Sequence, residues 1–170
     1  QRCLPGFRQR GLGLSCELGM RQMKVGYRQG QAIDALALSV LARSSFAETF
    51  GHLYASHDLE SFFETKLSAK AMERQLSDPD HSFLMAHEQN GDLIGFAQVC
   101  PMSLPFDAGN RRARQLDRLY VLASAQGRGI GHTLLDWALN ACWEQGAEDI
   151  YLSVYCDNHR AQAIYAKRGF

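Results

Sequence analysis

The chain has 170 residues, enough to bury one core and too few for two ordinary domains. Lysine plus arginine equals aspartate plus glutamate at 18 each, so no net field draws nucleic acid or an anionic membrane, and neither is expected as a partner. Every apolar run is interrupted before a bilayer could be spanned, and the five cysteines (Cys3, Cys16, Cys100, Cys142, Cys156) lack metal-like CxxC spacing, so a reducing cytosol is the expected compartment.

Residues 1–19 mix arginine and glycine without periodicity and lack a signal-peptide core. Residues 1–22 are therefore expected to be a disordered or non-native leader, upstream of a start at Met20 or Met23. Residues 23–170 are expected to form one domain. Met23 to Arg28 alternates and reads as a first strand. From Gln31 an amphipathic helix is predicted through Ile33, Leu36, Leu38, Val40, Leu41 and Phe46 to about Phe50, with Gly51 as its C-cap. After a loop over 51–57, Asp58 is expected to cap a second helix running to about Leu76, with Leu59, Phe62, Phe63 and Leu67 on its apolar face. Ser77-Asp-Pro-Asp breaks it. Ser82 to His87 and Leu93 to Val99 read as strands joined by a hairpin at Asn90-Gly91. A loop over 101–110 leads to a strand from Arg114 to Leu122. The next helix is predicted from about Gly129 to Gln145, burying Ile130, Leu134, Leu135, Ala138, Ala141 and Cys142, and Gly146 ends it. Asp149 to Tyr155 is the most β-rich strand, and a last helix runs from Arg160 to about Arg168. Cys142 and Cys156 read as small core residues. A hairpin followed by strand–helix–strand–helix predicts a mixed α/β (α+β) fold, a sheet covered by helices on both faces.

The most informative stretch is Gln115 to Gly131, QLDRLYVLASAQGRGIG. A strand feeds a turn with glycines at 127, 129 and 131, and a helix follows. That arrangement binds phosphate: glycines admit close approach, free amides point at the anion, and the helix dipole favours negative charge. The turn lacks the Gly-Lys-Ser/Thr ending of a triphosphate loop. It also misses the dinucleotide fingerprint, whose third glycine would fall at His132.

Gln126-Gly-Arg-Gly-Ile-Gly131 resembles the Gln/Arg-x-x-Gly-x-Gly/Ala signature of the GNAT superfamily of N-acetyltransferases. Asn158-x-x-Ala161-x-x-x-Tyr165-x-x-x-Gly169-Phe170 resembles the family's Asn-x-x-Ala-x-x-x-Tyr-x-x-x-Gly-Phe segment, after one helix and one strand. Phe46-Ala-Glu-Thr-Phe50, Asp58-Leu-Glu and Leu119-Tyr-Val-Leu resemble polyamine acetyltransferases of the PaiA type. The resemblance implies a mostly antiparallel GNAT sheet whose C-terminal strands are missing here, and direct transfer from acetyl-CoA to a primary amine (of a polyamine, a small amine or a protein) in a ternary complex. It implies acetyl-CoA as co-substrate and no metal. It leaves room for a homodimer. The alternative reading is a non-catalytic acyl-CoA-binding sensor.

The same resemblance assigns roles. Gln126, Gly127, Arg128, Gly129, Ile130, Gly131 and His132 would hold the pyrophosphate. Arg128 otherwise reads as a solvated arginine and His132 as a surface histidine. Leu119, Tyr120 and Val121 would contact the acetyl and pantetheine groups, with a backbone amide as oxyanion donor. Tyr165 would assist departure of the coenzyme thiolate, or else is a core tyrosine near Ile164 and Phe170. Asn158 could cap the last helix and approach the coenzyme. Asp117, whose alternation groups it with Gln115, Leu119 and Val121, is the candidate base, or else an edge carboxylate paired with Arg118 or Arg114. An alkylamine of pKa about 10.4 needs such help, since deprotonation near neutrality costs roughly 4–5 kcal/mol. The acceptor is expected against residues 50–58, where Tyr54, Glu48 and Asp58 could meet a cationic amine. His52, His57, His81 and His87 lack partners at ligand spacing.

Overall fold

A computed structural model describes residues 24–105, 109 and 111–170. The leader expected over 1–22 lies outside the described residues, as do Met23, Cys3 and Cys16. Among the described residues, five strands form one sheet in sequence order: β1 (Gly26–Gln29), β2 (Ser82–His87), β3 (Leu93–Pro101), β4 (Ala113–Val121) and β5 (Asp149–Leu152). The first three pairings are antiparallel and β4–β5 is parallel. A parallel pair needs a crossover, which α4 (Ile130–Glu144) supplies. The remaining helices are α1 (Ala35–Phe50), α2 (Ser56–Lys66), α3 (Ala69–Leu76) and α5 (His159–Ala166).

Strand alternation divides the core between two faces. Leu84, Ala86, Ala97, Val99 and Leu116 pack with Ile130, Leu134, Leu135, Ala138 and Cys142 of α4. Phe83, Met85 and Phe96 pack on the other face with Leu38, Leu41 and Ala42 of α1, and with Leu67 and Met72. The predicted α4 stripe is therefore the buried one, and Gly146 closes the helix with φ of 77°. The hairpin also forms at Asn90-Gly91, where Glu88 N donates to Asp92 O at 2.9 Å.

Several expectations are corrected. The face that α1 buries is Ala35, Leu38, Ser39, Leu41, Ala42 and Ser45, while Ile33 is 87%, Leu36 67% and Val40 57% exposed. Leu38 and Leu41 are buried as expected, flanked by small residues, while Leu36 and Val40 lie on the opposite side of the helix. Gly51 does cap α1 as expected, its N donating to Ala47 O, but it does so at φ of −54° rather than left-handed, and it opens a 3₁₀ turn over Gly51–Leu53. The second helix starts at Ser56, so Asp58 sits in its first turn and is not its cap. It does not continue to Leu76: it stops at Lys66, Leu67 turns fully into the core, and Ser68 Oγ accepts from Ala71 N at 3.3 Å to start α3. Cys156 is exposed beyond the sheet rather than packed in the core.

Two irregularities shape the site. Gln98 pairs with Arg118 but Val99 pairs with Leu116, so Asp117 is the extra residue of a β-bulge. Leu116 thereby shares the α4 face with Leu119 and Val121, and the simple alternation that grouped Asp117 with them fails. Second, β5 ends at Leu152 instead of Tyr155, pairing only with residues 113–116 of β4. Beyond Leu116, β4 and the chain after β5 separate and leave a notch.

Candidate active site

A cavity of about 1050 Å³ occupies that notch. One wall is residues 116–121 of β4, and the other is 152–155 with Asn158, Ile164 and Tyr165. The glycine turn closes one end, and the aromatic residues of α1 and α2 close the other.

At the turn end, Gly127 and Gly129 adopt φ of 81° and 80°, a left-handed conformation that favours glycine. Nothing lies within 4 Å of where a Cβ would stand on either, so the glycines leave open space before the α4 N-terminus. An anion can approach the first free amides of the helix there. Gln126 braces the turn: its Nε2 donates to Val121 O at 3.3 Å, and its Oε1 accepts from Arg160 Nη1 at 2.7 Å. Ile130 is buried under the turn, while Gly131 and His132 line the cavity, His132 from an exposed position. Arg128 is not a solvated arginine. It forms a salt bridge with Glu88 at the end of the β2–β3 hairpin, and this pairing holds the Glu88 carboxyl below its ordinary range.

Asn158 and Tyr165 arrive from α5. Asn158 Oδ1 accepts from Ala161 N at 3.1 Å, so it caps the helix and also lines the cavity. Tyr165 packs against the α4 core and the ring of Phe170, with centroids 6.1 Å apart. Burial pushes its phenol pKa up, so it stays protonated at neutral pH and can donate a hydrogen bond. Tyr120 lies on the opposite face of β4 from Leu119 and Val121, edge-on to Phe96 at 5.5 Å, with its phenol also pushed up by burial.

The bulge sets Asp117 into the cavity among polar groups, of which Gln75 and Gln98 are absent from the predicted site. Gln115 Nε2 donates to Asp117 Oδ1 at 2.9 Å, and Arg118 Nη1 lies 3.3 Å from Asp117 Oδ2. Gln115 is fixed in turn by Ser103 N at 2.9 Å and Leu104 N at 3.2 Å, both donating to its Oε1. Arg118 donates to Gln75 Oε1 at 2.9 Å and to Gln98 Oε1. Gln98, fully buried, places Nε2 3.0 Å from His81 Nδ1. Asp117 thus carries a fixed partner set, including the Arg118 pairing anticipated as its alternative role. His81 and Gln75 reach the cavity from a separate segment, and only a polar glutamine on the inward face of β3 hinted at them. Desolvation lowers the His81 pKa, which favours neutral imidazole.

At the end closed by the α1 and α2 aromatics, Glu48 and Tyr54 line the cavity. Asp58 does not; it faces His57 at 3.0 Å on the exposed side of α2. Among the described residues no group of three histidine, cysteine or acidic side chains could hold a metal, and no helix is long and apolar enough to cross a membrane.

The family model described as the acetyltransferase (GNAT) family matches residues 43–170. An uncharacterized N-acetyltransferase of Mycobacterium bovis is 30% identical over 137 residues, covering 81% of this chain and 83% of that protein. A mycothiol acetyltransferase of Saccharomonospora viridis is 32% identical over 116 residues, covering 67% of this chain and 37% of that protein. The crystal structure of a PaiA N-acetyltransferase from Thermoplasma acidophilum, in complex with coenzyme A, superposes with a TM-score of 0.73 at 26% identity, covering 87% of this chain and 90% of that one.

Proposed function

The chain belongs to the acetyltransferase (GNAT) family, and from that premise we propose that it transfers the acetyl group of acetyl-CoA to a primary amine by direct attack within a ternary complex. The observation that carries this reading is one cavity shared by the open glycine turn, Tyr165 and Asp117. Acetyl-CoA, as co-substrate, supplies an activated thioester and a thiolate leaving group. The glycine turn and the α4 N-terminus hold its pyrophosphate, and the open space at Gly127 and Gly129 fits that group.

On the acceptor side, Asp117 is the carboxylate that takes up the amine proton, directly or through water. Gln115 and Arg118 keep it oriented toward the cavity. A backbone amide along 119–121 stabilises charge on the thioester oxygen. Tyr165 donates to the departing sulfur. With its phenol raised above an ordinary pKa of about 10, and a thiol near 8.5, full proton transfer is uphill. Its contribution is therefore mainly a hydrogen bond that strengthens as charge develops.

Incubation with acetyl-CoA and a panel of primary amines tests the proposal. The expected result is an acetylated amine matched by free thiol. Coenzyme bound with no amine acetylated would favour the non-catalytic sensor reading and overturn this one.

A further inference from the structure

The acceptor end has an unusual composition. Phe46 of α1 sits at the centre of a ring cluster, with centroids 4.9 Å from Phe50, 4.7 Å from Phe62 and 5.8 Å from Tyr54. Tyr155, across the notch, meets Phe50 edge-on at 5.7 Å. All five rings line the cavity. The rim adds a second, independent observation. Ten large apolar or aromatic side chains are exposed among the described residues, and four of them, Leu53, Tyr54, Val154 and Tyr155, stand together at this mouth. Grouped exposure of this kind marks a binding surface, whereas scattered exposure does not.

The charges there do not favour a polycation. The charged side chains lining this end are Glu48, Lys66, Asp117 and Arg118, two of each sign, and Asp117 is already paired with Arg118. A polyamine needs several unpaired carboxylates to replace its hydration. A single ammonium can be met by Glu48 and by the ring faces, while the body attached to it displaces water from the aromatic wall.

We propose that the acceptor is a monoamine carried on an aromatic body, its ring packed on the exposed Tyr54 and Tyr155 at the mouth, with Phe46 and Phe50 in contact behind them, and its amine directed toward Asp117. This rests on the transferase reading above and narrows it to a substrate class. Specificity is then set by the α1–α2 aromatics and Tyr155.

The probes are 2-phenylethylamine, ethylamine and spermidine, compared by kcat/KM with saturating acetyl-CoA. Burial of one phenyl group predicts a preference for 2-phenylethylamine over ethylamine of about tenfold to a hundredfold, with spermidine no better than ethylamine. Tyr155→Ser should cut the phenylethylamine-to-ethylamine ratio by about threefold to tenfold, the worth of one aromatic contact. Tyr54→Ser serves the same purpose if the Tyr155 variant melts early. Preference for spermidine, or a ratio near one in the wild type, would overturn this inference and leave acetyl transfer intact. A ratio unmoved in a folded Tyr155→Ser or Tyr54→Ser variant would overturn it too. Failure to acetylate any of the three probes or any other amine would remove the transferase reading and this inference with it.

Discussion

Gly129→Asp separates coenzyme binding from folding with little ambiguity. Gly129 sits at φ of 80° immediately before α4, and a Cβ there meets nothing within 4 Å. The substitution therefore brings backbone strain but no clash. A left-handed L-residue costs about 1–2 kcal/mol. At roughly 2–4 °C per kcal/mol for a domain of this size, that lowers Tm by about 2–8 °C. Aspartate is a favourable N-cap residue elsewhere, yet a cap needs extended backbone, which this position lacks. The new carboxylate would stand where phosphate is held. Two unit charges about 4 Å apart repel by about 1 kcal/mol in water and about 4 kcal/mol at an effective dielectric of 20. Taking the lower part of that range for an open site, and two phosphates, coenzyme affinity should fall by at least about tenfold. Gly129→Ala carries the same strain without charge and is the control. Calorimetric titration with CoA, beside thermal unfolding, reads both effects. If the folded Asp variant binds CoA as tightly as the Ala variant, phosphate does not lie at this turn and the assignment is wrong.

Other outcomes follow from the same geometry. Tyr165→Phe keeps the ring on α5 and removes only the donor, so kcat should drop by about 10- to 1,000-fold with CoA affinity nearly unchanged; wild-type turnover would reduce Tyr165 to packing. Asp117→Asn should lower kcat/KM most near pH 7, with the deficit narrowing as the pH approaches the amine's own pKa of about 10; a pH-independent loss would contradict a proton-accepting role. Asp34, which is buried, accepts from Arg28 at 2.6 and 2.7 Å, and that pairing holds its carboxyl below the ordinary value of 3.8. The stabilisation is complete above that value and is lost as pH falls through the lower folded-state pKa. Acid titration of thermal stability should therefore be shallower below pH 4 in Asp34→Asn than in the wild type, and equal slopes would show that the pair does not contribute.

The parts legible from the chain alone were those where local chemistry and tertiary role coincide. The α4 stripe from Ile130 to Cys142 is amphipathic because it is buried on one side only, and Gly127 and Gly129 are glycines because their backbone is left-handed. Asn158 announces its own cap. The family-motif positions 126–132, 158 and 165 all line the cavity or its turn, although Arg128 is engaged by Glu88, a residue forty positions away that no local pattern connects to it. Where packing decides, the pattern misleads. Helix α1 offers apolar residues on more than one side, and the sheet takes the face with Leu38, Leu41, alanines and serines, leaving Leu36 and Val40 exposed. The break at Leu67–Ser68 carries no glycine or proline, only a serine cap. The bulge at Asp117 arises from register with β3, which the β4 sequence does not contain. The polar set around Asp117 joins Gln75, His81, Gln98, Gln115 and Arg118 from three separate stretches, and only folding brings them together.

Direct transfer in a ternary complex is distinguished from a covalent route by initial-rate kinetics with acetyl-CoA and an accepted primary amine both varied, read alongside the intact mass of enzyme incubated with acetyl-CoA alone. Cys100 and Cys142 are buried thiols raised to about 12 and about 11, and neither is a ready nucleophile at neutral pH. Direct transfer gives intersecting reciprocal plots and an unmodified protein mass. Parallel plots together with an acetylated protein would contradict it.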